Sequence, residues 1–346
     1  MNMKYKLNKN LSFSSLGLIA LAFCFTSCER EVSDDAVLAS YPKVGDIFTD
    51  APIGLTDAFF ESFDPATGAN TNGFGTDNNT AYAGNTSIRI DVPASNDPNG
   101  GYIGGIFRDR GAGRNLSGFD ALTFWAKGST TATFEAGFGL DFAENKYAVT
   151  TVAQLSTTWT KYVIPIPDAS KLIQEKGMFI FSAGTNSTNG LGYTFWIDEL
   201  RFEKVGNTAL INPFILNGED NTVDGFIGSS IPIDQLGANY NLANGQNISL
   251  TTAAGYFNFV SSQTNVATVN EKGVVNIIGS EGTTVISASL GNAIAQGSLT
   301  INAAGSFPHA PIPTRNAANV ISLFSDAYFN VPVRHYNGYF APFQTT

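Results

Sequence analysis

Cysteine and histidine are scarce in this chain of 346 residues, and their positions exclude several kinds of chemistry. Both cysteines, Cys24 and Cys28, lie near the N-terminus, so the rest of the chain has no disulfide, thiolate metal site or cysteine nucleophile. The histidines are His309 and His335, close to the C-terminus and beyond the main strand-rich segments. Their positions argue against a Ser-His-Asp triad and against a zinc site.

Charge is also sparse, because Asp, Glu, Lys and Arg make up only 14 % of the residues. Long amphipathic helices rich in Glu, Lys and Leu are missing. The formal net charge is −10, which argues against nucleic acid as a partner, since its phosphates require clustered Lys and Arg. It also argues against peripheral binding to anionic lipids. What is abundant is Gly, Thr, Asn, Ser and Phe, a composition typical of β-sandwiches with many turns.

The N-terminus is typical of an export signal. An apolar stretch at residues 11–25, too short to span a bilayer comfortably, follows a positive segment with Lys4, Lys6 and Lys9. The stretch ends in Thr26-Ser27-Cys28. A cysteine directly after a small residue resembles the lipobox of bacterial lipoproteins, although Phe25 stands where that motif usually has leucine. The resemblance implies a signal peptide at 1–27 and lipidation of Cys28 as the membrane anchor. The alternative is an ordinary signal peptide with two incidental cysteines.

Residues 28–52 are predicted to form a flexible acidic linker. Removing 1–27 leaves 16 basic and 29 acidic residues, a formal net charge of −13. In some Gram-negative lipoproteins, acids just after the lipidated cysteine direct export to the outer face, and Glu29 and Glu31 resemble that signal. The resemblance implies a lipid-anchored outer-membrane protein on the cell surface of a Gram-negative bacterium.

Short apolar or alternating runs recur between residues 53 and 205, separated by Gly, Asn, Asp and Ser. Roughly nine or ten strands in about 150 residues predict two facing sheets, a jelly roll. Residues 170–176 are the one short helical candidate. The predicted strands are 58–63, 86–92, 102–107, 121–127, 133–142, 147–152, 160–165, 177–183 and 193–202.

Five motifs in this region occur in a distinctive order, at residues 60–64, 84–90, 122–128, 159–165 and 195–202. Together they resemble carbohydrate-binding modules with the galactose-binding-like jelly roll, of the family 11 or family 4 kind. The resemblance implies a module that binds a β-glucan-like polysaccharide in its concave sheet. The Glu-x-Asp-x-x-Glu motif of family 16 glycoside hydrolases is absent from the sequence, which excludes that family but not all hydrolysis. With no catalytic constellation visible, a non-catalytic protein is the prediction.

Sugar platforms are formed by aromatic side chains beside a few polar groups. Trp125, Trp159 and Trp196 lie in apolar strand runs, and in the resembling modules those positions mostly pack between the sheets, so we expect these tryptophans in the core. Aromatic residues in polar surroundings, with charged residues near them, are the better candidates. The predicted carbohydrate-binding residues are Tyr102, Arg108, Asp109, Asp141 and Tyr147. The alternative for both tyrosines is a solvated position at a strand edge, and for the charged residues a solvated turn.

The resemblance also implies a structural Ca²⁺ ion. In the resembling modules, calcium joins the first and last strands through acids on both. The matching acids are Glu61 or Asp64 at the start and Asp198 near the end, with carbonyls from residues 83–86. Asp198 lies in an apolar run, where a carboxylate needs a partner, and calcium takes six to eight oxygen ligands.

A second set of short strands, at immunoglobulin-like spacing, occupies residues 208–303. Residues 262–275 and 282–288 resemble the core motifs of bacterial Ig-like domains of the group 2 type. The resemblance implies a spacer or an adhesive module without chemistry. The predicted strands are 248–251, 257–261, 266–269, 273–278, 283–290 and 297–301.

Residues 304–318 contain Pro308, Pro311 and Pro313 and are predicted to be a Pro-rich linker. Residues 319–346 resemble the opening of a further jelly-roll module in surface glycan-degrading lipoproteins, so we expect the start of a truncated third domain there.

The sequence thus predicts an all-β protein, a jelly-roll β-sandwich followed by an Ig-like β-sandwich. The favoured function is that of a non-catalytic surface lipoprotein that binds polysaccharide, with other glycan-uptake proteins as possible partners. One alternative is the non-catalytic N-terminal part of a longer secreted glycoside hydrolase. The other is a structural or adhesive surface protein.

Overall fold

Strands and short 3-10 turns form the regular structure of this protein, and the predicted all-β class is confirmed. The computed structural model describes residues 40–55, 60–142, 145–206, 208–306 and 314–322. The predicted signal peptide 1–27, Cys28 and most of 319–346 lie outside the described residues. The strands of the first half are β1 (Asp46–Phe48), β2 (Phe60–Ser62), β3 (Phe74–Asp77), β4 (Ser87–Val92), β5 (Ile103–Arg108), β6 (Ala121–Gly128), β7 (Thr133–Phe138), β8 (Val149–Gln154), β9 (Thr160–Pro165), β10 (Gly177–Ala183) and β11 (Tyr193–Glu203).

Two antiparallel sheets face each other in this half. Sheet A has the order β3-β4-β11-β6-β9, and β1 pairs with one end of β11. Sheet B contains β8-β7-β10-β5-β2 in that order. Alternating residues of both sheets fill the space between them, as a sandwich requires. The strands predicted between 86 and 202 are observed, with boundaries that shift by a few residues, whereas the predicted helix at 170–176 is only a 3-10 turn over Ala169–Lys171.

Phenylalanine dominates the core between the two sheets. The rings of Phe60 and Phe74 stack at 3.9 Å, and that of Phe107 meets Phe179 edge to face at 5.3 Å. A buried side chain of this size contributes about 1.5–3 kcal/mol to folding, so these rings are a major source of stability in a protein without cysteines in its strands.

The sandwich begins earlier than the sequence predicted. Within the predicted linker 28–52, β1 pairs antiparallel with β11, and its residues Ile47 and Phe48 are fully buried. Arg114 is buried beside this segment and donates hydrogen bonds to the carbonyl oxygens of Asp46, at 2.6 Å, and Ile53. The apolar pair at 47–48 explains the difference, because a flexible linker has no core in which to bury it.

The second half, from residue 208, is also built of strands and short 3-10 turns in its described part. Its strands are β12 (Thr208–Phe214), β13 (Asp220–Gly225), β14 (Ser230–Pro232), β15 (Gly237–Leu242), β16 (Asn247–Thr252), β17 (Phe257–Ser261), β18 (Ala267–Val269), β19 (Val274–Ile277), β20 (Glu281–Leu290), β21 (Ala293–Ile294) and β22 (Ser298–Ala304). The other 3-10 turns of the described residues are Pro65–Thr67, Asn186–Thr188, Leu216–Gly218, Ala254–Tyr256 and Ala317–Asn319.

Sheet B does not stop at the end of the first half. Its order continues from β8 into β16, β15 and β12, so strands of the second half extend the sheet of the first. The remaining strands form a small sandwich of sheet C (β13-β22-β20-β17, with β21) and sheet D (β14-β19-β18). In sheet C, β13 runs parallel to β22. The described residues from Tyr41 onward therefore belong to one compact unit.

The described residues include no helix that is both long and apolar enough to cross a membrane.

Candidate functional site

Strand alternation places Trp125 on the outer face of sheet A. In β6, Leu122, Phe124 and Ala126 are buried in the core between the sheets. Because successive side chains of a strand point to opposite sides, Trp125 faces outward, and it is only half-buried.

The same alternation places Trp196 on this face. Its neighbours Phe195 and Ile197 are buried in the core, and Trp196 is half-buried on the other side of β11. Trp159, also half-buried, lies just before β9. The expectation that the three tryptophans belong to the core is therefore wrong.

An aromatic cluster forms around Trp125. The ring of Tyr82, 42 % exposed, stacks on Trp125 with centroids 3.8 Å apart and an interplanar angle of 12°. Trp159 meets Tyr82 edge to face at 5.9 Å. We call Tyr82, Trp125, Trp159 and Trp196 the aromatic face.

A buried carboxylate fixes the orientation of Trp196. The indole Nε1 donates a hydrogen bond to Asp77 Oδ2 at 2.8 Å, and the ammonium of Lys127 lies 5.9 Å from the ring centre. The backbone N–H of Asn79, and next the indole of Trp196, lower the pKa of Asp77. The carboxylate is thus a stable acceptor, and it holds the ring in one position at the surface.

A second buried carboxylate holds the loop that carries Tyr82. The fully buried Asp198 accepts hydrogen bonds from the backbone N–H groups of Tyr82, at 2.8 Å, and Ala83, at 3.1 Å. A bulge in β11, with Glu199 at a positive φ of 50°, interrupts the register beside Asp198. Burial raises the pKa of Asp198, against the lowering effect of these hydrogen bonds.

Charged and hydroxyl side chains flank the aromatic face. Arg89 and Asp91 form an ion pair at 3.0 Å, and Thr194 donates to Asp91 at 2.6 Å. On the other side, the carboxylate of Glu203 contacts Lys161 and accepts from Thr123 at 2.9 Å. Burial favours a higher pKa for Glu203, but the hydrogen bonds from Lys161 and Thr123 lower it. Rigid rings beside fixed polar groups are suited to binding a ligand with apolar faces and hydroxyl edges.

Two of the predicted carbohydrate-binding residues lie at opposite ends of β5. The Tyr102 hydroxyl is hydrogen-bonded to Thr67 at 2.7 Å, and Arg108 lies 3.8 Å from Glu61. Six residues of extended strand separate Tyr102 from Arg108 by about 20 Å. The Arg108 Nε atom is buried and has no hydrogen-bond partner among the described residues.

The other three predicted residues are buried or make contacts within the protein. Asp109 is buried and pairs with Arg114 at 3.1 Å, and Asp141 is buried after β7. Tyr147 packs against Tyr256 of the second half, with ring centroids 5.5 Å apart. The five predicted residues therefore do not form one cluster around an exposed aromatic ring.

A smaller aromatic patch lies on the outer side of sheet B. Phe63 covers Gly104, where a Cβ atom would come within 2.8 Å of its ring. Phe142, 46 % exposed and at a strained φ of 63°, lies 5.9 Å from Phe63. Because exposed, strained residues cluster at binding sites, this patch is the second candidate surface.

The predicted calcium ligands have other partners. Glu61 pairs with Arg110 at 3.0 Å, and Asp64 accepts from the N–H of Ala66 to cap a 3-10 turn. The loop after Tyr82 presents N–H groups to Asp198, whereas a metal site needs carbonyl oxygens. No group of three or more His, Cys, Asp or Glu side chains suited to a metal ion occurs in the part of the chain that the structure describes. The calcium site therefore stays a prediction.

Comparisons with known proteins found similarity to carbohydrate-binding modules. Residues 46–204 match the sequence profile of the family described as Carbohydrate binding domain 30. Among solved structures, the family 30 carbohydrate-binding module of a cellulosomal cellulase of Clostridium thermocellum is 20 % identical, with 47 % of this chain and 98 % of that chain covered and a TM-score of 0.33. A family 11 module from Clostridium thermocellum, in complex with a β-1,3-1,4-mixed-linked tetrasaccharide, is 11 % identical, with coverages of 42 % and 95 % and a TM-score of 0.28.

No curated protein matches the chain significantly. The profile match begins at the first residue of β1 and ends one residue after β11. Its limits therefore coincide with those of the jelly roll. Residues 46–204 are a domain similar to carbohydrate-binding modules.

Proposed function

We propose that the jelly roll is a non-catalytic module that binds a β-glucan-like polysaccharide on its aromatic face. The observation that carries the proposal is the half-exposed, stacked arrangement of Tyr82 and Trp125, with Trp159 and Trp196 on the same face. The profile match to a carbohydrate-binding family supports the ligand class.

The chemistry of the face suits a neutral sugar chain. The rings of a β-linked glucan present flat C–H surfaces that stack on aromatic side chains, while their hydroxyl groups lie at the edges. Lys127 is the cross-strand neighbour of Trp196, and its ammonium, 5.9 Å from the centre of that ring, can hydrogen-bond such hydroxyls. Because Asp77 and Asp198 already hold Trp196 and the Tyr82 loop, little side-chain entropy is lost when the ligand binds.

The test is affinity gel electrophoresis through a panel of polysaccharides, including laminarin and mixed-linkage glucan, followed by calorimetry. We expect Trp125→Ala and Trp196→Ala each to weaken binding about tenfold, which corresponds to about 1.4 kcal/mol. Tyr102→Ala is the matched aromatic control and should leave affinity unchanged. If Phe142→Ala abolishes binding and the tryptophan variants do not, the site lies on sheet B instead.

We also propose that Cys28 is lipidated and anchors the protein in the outer membrane of a Gram-negative cell, on the cell surface. The motif around Cys28 supports this. Cells fed an alkyne-tagged fatty acid should incorporate the tag into the wild-type protein and not into Cys28→Ser. Equal labelling of both would exclude this site. Other glycan-uptake proteins at the same surface are the partners we expect.

For sheets C and D we propose the spacer role that their Ig-like motifs suggest. For the jelly roll, the profile match to a carbohydrate-binding family supports a binding role, and we propose no reaction for either half.

A further inference from the structure

A large groove lies where the two halves of sheet B join. Its volume is about 1130 Å³, and its walls come from β8, β9 and the β15–β16 hairpin. Typical small-molecule sites have about 300–1,000 Å³, so this groove has room for an extended ligand. Its second-half wall lies outside the profile match at 46–204.

The groove exists because β16 pairs with β8 over two positions only, Thr251 with Thr150 and Thr252 with Val149. Beyond these pairs the strands diverge. The hydroxyl of Thr151 donates to the Ser249 carbonyl at 2.8 Å and closes the narrow end of the opening. Farther along β8, Val152 is 71 % exposed. The paired positions of β8 and β16 thus form the narrow end of the groove, and the two strands separate from there onward.

The walls of the groove mix apolar and polar side chains, and their charges balance. Two acids and two bases line it, and the bases are Lys161, which contacts Glu203, and Lys204. Most of the remaining polar lining consists of hydroxyl and amide side chains, among them Gln154, Thr160, Asn244, Gln246, Asn247 and Ser249. A lining without net charge favours a neutral ligand, and side chains that both donate and accept suit hydroxyl groups.

The groove begins where the aromatic face ends. Lys161 on the edge strand β9 is the cross-strand neighbour of Trp125, and it also lines the groove. Glu203, which accepts from Thr123 on the outer side of sheet A, lines it as well. A chain bound on the aromatic face can therefore continue past Lys161 into the groove without leaving the protein surface.

We propose that this groove is an extension of the glycan site, which binds further sugar units of the same neutral polysaccharide chain. The second half contributes one wall through Asn244, Asn247 and Ser249, and is thereby part of the binding site as well as a spacer. This inference rests on the proposed function, since it takes the ligand of the aromatic face to be a glycan.

The test blocks the groove with a large charged side chain in the full chain. Val152→Arg is compared with Val260→Arg, a matched control on β17 of sheet C, where Val260 is 58 % exposed. Ser249→Arg blocks the opposite wall and serves as the second variant if Val152→Arg unfolds. Calorimetry measures binding of mixed-linkage β-glucan polymer and of its tetrasaccharide.

We expect Val152→Arg and Ser249→Arg to weaken polymer binding about tenfold and to leave tetrasaccharide binding unchanged. Val260→Arg should match the wild type for both ligands. Wild-type polymer affinity in both groove variants, with a loss in Trp125→Ala, would overturn the groove proposal and leave the proposed function intact. Failure of the wild-type protein to bind either ligand, or no loss in Trp125→Ala, would instead contradict the proposed function.

Discussion

Buried charged side chains fix the surface features of this protein. Asp77 orients Trp196, Asp198 holds the Tyr82 loop, and Arg114 ties β1 to the sandwich. A buried charge is costly unless its hydrogen bonds are satisfied, so each of these residues should tolerate substitution poorly.

For Arg114 the expected cost is large. Arg114→Ala removes donors to Asp46 and Ile53 and leaves the carboxylate of Asp109 buried without its ion partner. We expect the free energy of unfolding to fall by about 3–5 kcal/mol, measured by urea denaturation with tryptophan fluorescence. The matched control is Arg110→Ala, whose exposed pair with Glu61 should contribute about 0–1 kcal/mol. Equal effects of the two substitutions would contradict the structural role of Arg114.

The pH dependence of stability should report on Asp198. Burial raises its pKa above the ordinary value of 3.8, so the folded protein favours the protonated carboxyl. This contribution is fully present below pH 3.8 and is lost as the pH rises through the raised pKa. We therefore expect the wild type to lose stability relative to Asp198→Asn over that window, in urea denaturation with EDTA present.

Calcium would reverse this trend, because a metal ion needs the ionised carboxylate. The same titration with calcium chloride in place of EDTA therefore tests the predicted Ca²⁺ site. Stability that rises with pH only when calcium is present would support the predicted site. Identical curves in both solutions would count against it.

At the scale of elements, strand alternation decides which side chains are available to a ligand. The same β6 run buries Phe124 and exposes Trp125, and the loop that carries Tyr82 then covers part of that indole. The carboxylates of Asp198 and Asp50 hold this loop, because they accept hydrogen bonds from its backbone N–H groups. The aromatic face therefore depends on the loop as well as on the sheet.

Removing the Tyr82 ring should expose Trp125. We expect Tyr82→Ala to increase acrylamide quenching of tryptophan fluorescence, because one face of the Trp125 indole loses its cover. Tyr82→Phe keeps the stacked ring and should quench like the wild type. A Tyr82→Ala protein with unchanged quenching would mean that the two rings do not stack in solution.

At the scale of the whole molecule, sheet B couples the two halves. Besides the β8–β16 pairs, the Ala253 N–H donates to the Ala148 carbonyl at 2.8 Å, and the Tyr256 hydroxyl donates to the Tyr147 carbonyl at 3.0 Å. Lys146 also lies 3.5 Å from Glu271. The halves should therefore unfold together.

The positions of the tryptophans allow a direct test of this coupling, because all three lie in the first half. Ile301 is fully buried in sheet C of the second half, and Ile301→Ala should cost about 2–5 kcal/mol. If the halves are coupled, the melting temperature followed by tryptophan fluorescence will fall. The control is Ile294→Ala on β21, where the side chain is 81 % exposed. This substitution should leave the melting temperature unchanged. An unshifted fluorescence transition in Ile301→Ala would show that the halves unfold independently.

The sequence by itself determined the all-β class and most strand positions, because apolar alternation between Gly and Asn turns is a local signal. Even the aromatic face had such a signal: in 122–127 the polar Thr123 and Lys127 alternate with Leu122, Phe124 and Ala126, and Trp125 stands in the polar register. The resemblance to known modules nevertheless favoured a core position for Trp125. Only the tertiary structure decided the rest. The bulge at Asp198, the loop over Trp125 and the β8–β16 pairs join residues distant in sequence, and no local pattern encodes such contacts.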